Sequence, residues 1–203
     1  MYTLYSMQDS GNCYKLRLAM AQLDVRFQIR DVDILKGESR SIDFLKINPN
    51  GKVPTLVLPD GRPITESDAA LFYLAEGSKL LPEGRFARAE VLQWMFFEQY
   101  SHEPYIAVAR YWLTIAPDGR ETKKECFKEW NERGHHALRV MERQLNDKDF
   151  FAGGRYSIAD IALYAYTHMA DEGDFDLSGY PAINRWLERV RSQPGHVDIH
   201  WRP

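Results

Sequence analysis

Three short runs in the first seventy residues carry side chains whose types and spacing could do chemistry. The first is Ser10-Gly11-Asn12-Cys13-Tyr14-Lys15, where a hydroxyl, an amide and a thiol precede an apolar periodic stretch. A hydroxyl at the start of a helix stands beside free backbone N–H groups and the positive end of the helix dipole, an environment that favours an anion. A thiol bound there would be drawn towards thiolate by that field and by a hydrogen bond from Ser10. The same residues also suit plain capping, with Ser10 or Asn12 accepting from the first turn.

The second run is Asn50-Gly51-Lys52-Val53-Pro54-Thr55-Leu56. A proline opening a strand after an Asn-Pro-Asn-Gly turn is suited to a cis bond. A cis Val53-Pro54 would turn the Val53 backbone outward, where its N–H and C=O could pair with an extended peptide ligand. An edge-strand proline with no ligand is the plainer alternative. The third run is Thr65-Glu66-Ser67-Asp68. At a helix start, Ser67 and backbone N–H groups could hold a carboxylate while Glu66 pairs with an ammonium group. A helix cap with favourable first-turn charges explains it as well.

The elements that would position these runs change character near residue 80. Tyr2 to Met7 is short, apolar and aromatic, and reads as a first strand rather than a secretory signal. From Asn12 to Leu23 the residues Leu16, Ala19, Met20 and Leu23 follow the i, i+3, i+4, i+7 spacing of an amphipathic helix. Val25 to Arg30 alternates as a half-exposed strand. A short helix over Ile42 to Ile47 follows. A strand at Thr55 to Leu58 turns at Pro59-Asp60-Gly61 into a second strand, Arg62 to Ile64, and a helix spans Glu66 to Glu76. The β-α-β, α, β-β-α order is the thioredoxin-like plan.

Beyond a linker at Gly77 to Gly84 only helices are expected. One long helix runs from Phe86 to about Leu113, with a bend at Pro104. Another covers Glu121 to Leu145, with Phe127, Trp130, Gly134, Leu138, Met141 and Leu145 on one stripe. A third starts at Ser157 and a fourth after Pro181. The expected class is α+β: a thioredoxin-like domain over residues 1–78 and an all-helical domain over 86–203.

The 203 residues are 44% hydrophobic and 27% charged, with a formal net charge of −3, which disfavours nucleic acid as a partner. No apolar run reaches the ~18 residues that would cross a bilayer, so no membrane partner is expected. Cys13 and Cys126 are the two cysteines, without a CxxC pair, and the histidines show no metal spacing. A reducing, cytoplasmic setting and no metal cofactor are the expectations.

Taken together, Asn50-Gly51-Lys52-Val53-Pro54-Thr55-Leu56 and Thr65-Glu66-Ser67-Asp68-Ala69-Ala70, in this element order, resemble the glutathione site of the cytosolic glutathione transferases. The resemblance covers almost the whole chain. It implies that glutathione is the co-substrate, that Pro54 is cis and the Val53 backbone before it grips the cysteinyl part, that Lys52 belongs to the same site, and that Glu66 and Ser67 hold the γ-glutamyl end. It also implies a homodimer, with detoxification as the broad role. Gly153-Gly154-Arg155-Tyr156-Ser157-Ile158-Ala159-Asp160 resembles the family too, and Ser157 with Asp160 reads as a structural capping box.

In the family a Tyr, Ser or Cys near the first helix activates the thiol. Ser10 aligns with the serine of the theta-, phi- and tau-like classes, with Asn12 assisting as in bacterial members related to the nu class. Tyr5, near the end of the first strand, is the rival donor, and Cys13, at a helix start, is a redox alternative. Tyr105, Arg110 and Trp112 lie where the family builds its second-substrate pocket, and His102 reads as a helix-face or interface histidine. The expected reaction is attack of the glutathione thiolate on a small electrophilic or disulfide substrate. A glutathione-dependent disulfide-bond reductase and a non-catalytic binding or regulatory relative are the alternatives.

Overall fold

Strand β1 (Tyr2–Ser6) sits inside a four-stranded sheet with spatial order β2-β1-β3-β4. It pairs in parallel with β2 (Phe27–Asp31) and antiparallel with β3 (Thr55–Val57), which pairs antiparallel with β4 (Pro63–Ile64). Helix α1 (Gly11–Gln22) makes the crossover between the two parallel strands, as parallel pairing requires. Helices α2 (Ile42–Ile47) and α3 (Ser67–Ala75) complete the thioredoxin-like plan. This computed structural model describes all residues, Met1–Pro203, in two units: Met1–Ser78 with Pro194–Pro203, and Lys79–Gln193.

In the first unit the sequence expectations shift in two places. The strand expected from Val25 begins at Phe27, because the chain first has to leave α1. Asp24 takes a left-handed conformation at φ 52°, and the Val25 N–H still bonds the Met20 carbonyl at 2.9 Å. Helix α1 is also buried on nearly every side instead of presenting one polar face. Lys15 and Arg17 are both fully buried beside Leu16, Leu18 and Met20.

The second unit is helical throughout: α4 (Arg85–Phe97), α5 (Glu103–Arg110), α6 (Gly119–Thr122), α7 (Phe127–Asp147), α8 (Ile158–Thr167) and α9 (Pro181–Arg191). The single long helix expected up to Leu113 is instead interrupted by two π-helical stretches, Glu98–His102 and Tyr111–Ile115. Pro104 has no N–H to donate to the preceding turn, and the helix widens just before it. His102, in that stretch, is fully buried and bonded to the Thr167 hydroxyl at 2.9 Å, rather than lying on a helix face. The helix expected from Glu121 starts at Phe127, after a turn over residues 123–126.

Within α7, Gly134 belongs to the buried stripe for a steric reason, since a Cβ there would collide with the Phe175 ring. The start of α8 is a complete capping box. Ser157 accepts from the first turn while Asp160 accepts from the Ser157 N–H at 2.9 Å. Asp160 also takes bonds from the Trp186 indole N–H at 2.9 Å and the Phe151 N–H at 3.1 Å, so one carboxylate joins α8, α9 and the preceding loop.

Candidate functional site

Strand register decides where the three sequence runs meet. Tyr5 faces Thr55 in the antiparallel β1–β3 pair, so continuing the register sets the chain leaving β1 beside Pro54 and Val53 as they enter β3. Strand β4 runs antiparallel to β3, with Ile64 opposite Leu56, so it delivers the start of α3 to the same end of the sheet. The Ser10, Val53-Pro54 and Glu66-Ser67 runs are therefore gathered at one sheet end by three strand termini.

At α1, Ser10 is the N-cap, with its side chain accepting from the Cys13 N–H at 3.3 Å. A serine oxygen has two lone pairs and one proton, so capping leaves the O–H available as a donor. Capping and thiol activation are thus compatible uses of one side chain. Cys13 is fully buried and accepts from the Met7 N–H at 3.4 Å. Burial pushes its thiol pKa up, against smaller downward pulls from Ser10, Met7, Ser6 and Arg17. A buried thiol of that kind is the inert sort. The Tyr5 ring lies edge-on to Phe44 of α2 at a centroid distance of 5.7 Å.

The peptide bond between Val53 and Pro54 is cis, as expected from the proline's position. Val53 is half-buried, and its backbone N–H and C=O pair with no other group of the chain. Lys52 is exposed, but its carbonyl is fixed: it accepts from the Asn48 amide at 2.8 Å and the Thr55 hydroxyl at 3.3 Å. Asn48 is almost fully buried and also donates to Thr55 Oγ1 at 3.0 Å, while its Oδ1 accepts from the Asn50 N–H at 3.0 Å. Three side-chain hydrogen bonds thus converge on Asn48, a residue that sequence reasoning treated only as part of a turn. The available signal was an asparagine two residues before another, in the pattern by which an Asx side chain bonds its own downstream backbone.

At α3 the N-cap residue is Glu66, whose exposed side chain makes no capping bond. Ser67 is buried, and its hydroxyl donates to Asn12 Oδ1 at 3.4 Å. One residue on, Asp68 pairs with the fully buried Lys15 ammonium at 3.0 Å. The starts of α1 and α3 are therefore tied by a neutral hydrogen bond and an ion pair side by side. Lys15 and Asp68 escaped sequence reasoning because each looks like an ordinary solvent-facing helix charge.

Tyr105, Arg110 and Trp112 all fall in the second unit, on α5 and the π-helical stretch after it. Arg110 is buried and bonds Glu172 through Nε at 2.7 Å. The Arg133 guanidinium lies 5.6 Å from the Tyr105 ring centre, and the Lys123 ammonium 5.0 Å from that of Trp112. Tyr105 and Trp112 remain partly exposed.

The chain matches two family models: glutathione S-transferase, N-terminal domain, over residues 1–76, and glutathione S-transferase, C-terminal domain, over residues 89–194. It is 32% identical to the disulfide-bond oxidoreductase YfcG of Escherichia coli (strain K12), covering 96% of this chain and 92% of that one. The crystal structure of a possible glutathione S-transferase from Rhodopseudomonas palustris superposes with a TM-score of 0.98 at 53% identity, covering 100% of this chain and 91% of that one. A glutathione S-transferase structure from Pseudomonas fluorescens gives a TM-score of 0.94 at 50% identity, covering 98% of each chain. With its two halves matched in order and the sheet, cis-proline and helix starts in place, the chain belongs to the glutathione S-transferase family.

Proposed function

We propose that this protein binds glutathione at the sheet end formed by Ser10, Val53-Pro54 and Ser67 and activates its thiol for attack on a small electrophile or disulfide. The observation that carries the reading is the unpaired Val53 backbone beside the cis-proline, at the same end of the sheet as two helix starts. An extended tripeptide can pair with Val53 as an added strand. Its γ-glutamyl carboxylate then meets Ser67 and the free N–H groups of α3, with Glu66 placed for the ammonium. Its sulfur lies towards the start of α1, where the Ser10 O–H is the donor and Asn12 assists. This is the Ser/Asn arrangement of theta- and nu-like members.

The required magnitude is modest. Lowering a thiol pKa by about 2 units costs roughly 2.7 kcal/mol of differential stabilisation. One hydrogen bond to a charged sulfur contributes about 1.5–3 kcal/mol, and a helix terminus adds about 0.3–1 kcal/mol. The thiolate then attacks an electrophilic carbon, forming the C–S bond as the leaving group departs with its electron pair. Tyr105, Arg110 and Trp112 remain our candidates for the second-substrate pocket, and a cytoplasmic homodimer is the form in which we expect the enzyme to work.

A second reading is favoured by the similarity to a disulfide-bond oxidoreductase. The glutathione thiolate attacks a disulfide sulfur, releasing one thiol and leaving a mixed disulfide. A second glutathione resolves it to the oxidised dimer. With Cys13 buried and no CxxC pair in the chain, both sulfurs of that exchange come from glutathione.

The test is Ser10→Ala, assayed with a halonitrobenzene and with hydroxyethyl disulfide in parallel. We expect glutathione affinity within about threefold of wild type and turnover down 10- to 100-fold, the kinetic equivalent of 1–2 units of thiol pKa. Wild-type rates with both substrates would remove Ser10 as the activator, and no calorimetric uptake of glutathione by the wild-type protein would end the proposal. The ratio of the two activities separates transferase from reductase.

A further inference from the structure

The last ten residues, Pro194–Pro203, pack with the thioredoxin-like unit, where they bond Tyr14 and Arg17 of α1 and Gln8 in the turn that precedes Ser10. Arg17 is the junction. It lies seven residues after Ser10, two helical turns on and so on the same face of α1. A helical side chain leans towards its own N-terminus, back over the Ser10 turn. The Arg17 side chain is fully buried. Nη1 donates to the Ser6 hydroxyl at 3.0 Å, and Nη2 donates to the Gln8 carbonyl at 2.7 Å and the Ile199 carbonyl at 2.8 Å.

Ile199 is itself buried, and its carbonyl takes a second bond, from the Gln8 amide at 2.6 Å. Two residues earlier, the Val197 carbonyl accepts from the Tyr14 hydroxyl at 2.6 Å. Gly195 brings the tail in at φ +74°, with its α-carbon side tight against the Gln22 backbone. A buried guanidinium is costly to strand, so the Gln8 and Ile199 carbonyls are a required counterpart and not an incidental contact.

We propose that Arg17 is a positioning residue for thiol activation: anchored on the Ile199 carbonyl of the C-terminal segment, its guanidinium fixes the Gln8–Ser10 turn and the direction of the Ser10 hydroxyl. The proposal rests on the reading of Ser10 as the thiol donor. A charge-assisted fork holds both the strand end at Ser6 and the turn at Gln8, adding to the turn's own bonds, from the Ser10 N–H to the Met7 carbonyl at 3.2 Å and from the Met7 N–H to the Cys13 sulfur at 3.4 Å. The tail thereby becomes part of the glutathione site without touching the ligand.

The experiment compares wild type, Arg17→Lys, a chain ending after Asp198, and Ser10→Ala. Each is read for glutathione affinity by calorimetry and for the pKa of the bound thiol by thiolate absorbance across pH. Lysine keeps the charge but loses the fork, and the shortened chain keeps Arg17 but removes its anchor. Both should raise the bound-thiol pKa by about 1 unit, a tenfold loss of thiolate at neutral pH, with affinity within about threefold. If Arg17→Lys does not fold, the shortened chain decides the matter alone. A shortened chain or Arg17→Lys variant with the wild-type thiol pKa, even with lowered thermal stability, overturns the positioning role. If Ser10→Ala also leaves the thiol pKa unchanged, the Ser10 reading itself has failed. If Ser10→Ala raises it while the other two variants do not, only the role of Arg17 is lost.

Discussion

The Ser67 hydroxyl donates to the Asn12 side-chain oxygen at 3.4 Å, joining the first residue of α3 to the second residue of α1 across 55 positions of sequence. A ligand carboxylate arriving at α3 competes with Asn12 for that proton. Asn12→Ala releases Ser67 and should change glutathione affinity by no more than about threefold. Asn12→Asp places a negative charge beside the incoming carboxylate, and two like charges about 4 Å apart repel by about 1–4 kcal/mol between bulk-water and near-surface dielectrics. Calorimetry should show at least a tenfold weaker Kd for the aspartate variant. Equal affinity for the two variants would mean that the carboxylate binds elsewhere.

Cys13 supplies a sharp contrast with the ligand's own thiol. Its side chain is fully buried, and burial raises its pKa. Cys13→Ala should retain wild-type activity with both halonitrobenzene and hydroxyethyl disulfide, at a stability cost of about 1 kcal/mol for the lost buried sulfur. Loss of the disulfide activity alone would assign Cys13 a redox part.

The Lys15–Asp68 pair is expected to be structural and unforgiving. The lysine is 0% exposed and the aspartate side chain 14%, at 3.0 Å. Asp68→Asn leaves an ammonium buried without its counter-charge, and the expected loss is about 3–5 kcal/mol. Replacing both, with Lys15→Met and Asp68→Leu, should cost less than either single change. Urea unfolding of wild type, Lys15→Met, Asp68→Leu and the double variant measures the coupling, and additive losses would show that the pair does not act as a unit.

Asp160 gives a pH dependence whose sign can be worked out. Burial pushes its carboxyl from an ordinary 3.8 up to about 6, against opposing pulls from the Trp186, Phe151 and Ser157 donors. The native chain then takes up this proton more readily than the unfolded one. The stability this group contributes is present below pH ~4 and is lost as pH rises through ~6, by up to about 3 kcal/mol. Asp160→Asn removes the titration. The stability advantage of wild type over the variant should therefore be smaller at pH 7.5 than at pH 4.5 when urea midpoints are compared. A constant difference would place the carboxyl at its ordinary value.

What the sequence determined by itself is what short-range chemistry determines. Ser10 and Ser157 cap helices because a hydroxyl reaches N–H groups only two or three residues on. Pro54 takes the cis form next to a turn that its neighbours already specify. The βαβ and ββα order could be read from periodicity and turn residues, whereas the gathering of the three runs at one sheet end follows from the strand register. The charges on α1 could not be read that way. Periodicity assigns Lys15 and Arg17 to a polar, solvent-facing side, yet both are buried, because their partners Asp68 and Ile199 are 53 and 182 residues distant. For the same reason the final ten residues, which sequence reading placed with the helical half, are grouped with the first unit. Whether a charged side chain meets water or a buried counterpart depends on which distant segment folds against it, and local spacing carries no record of that choice.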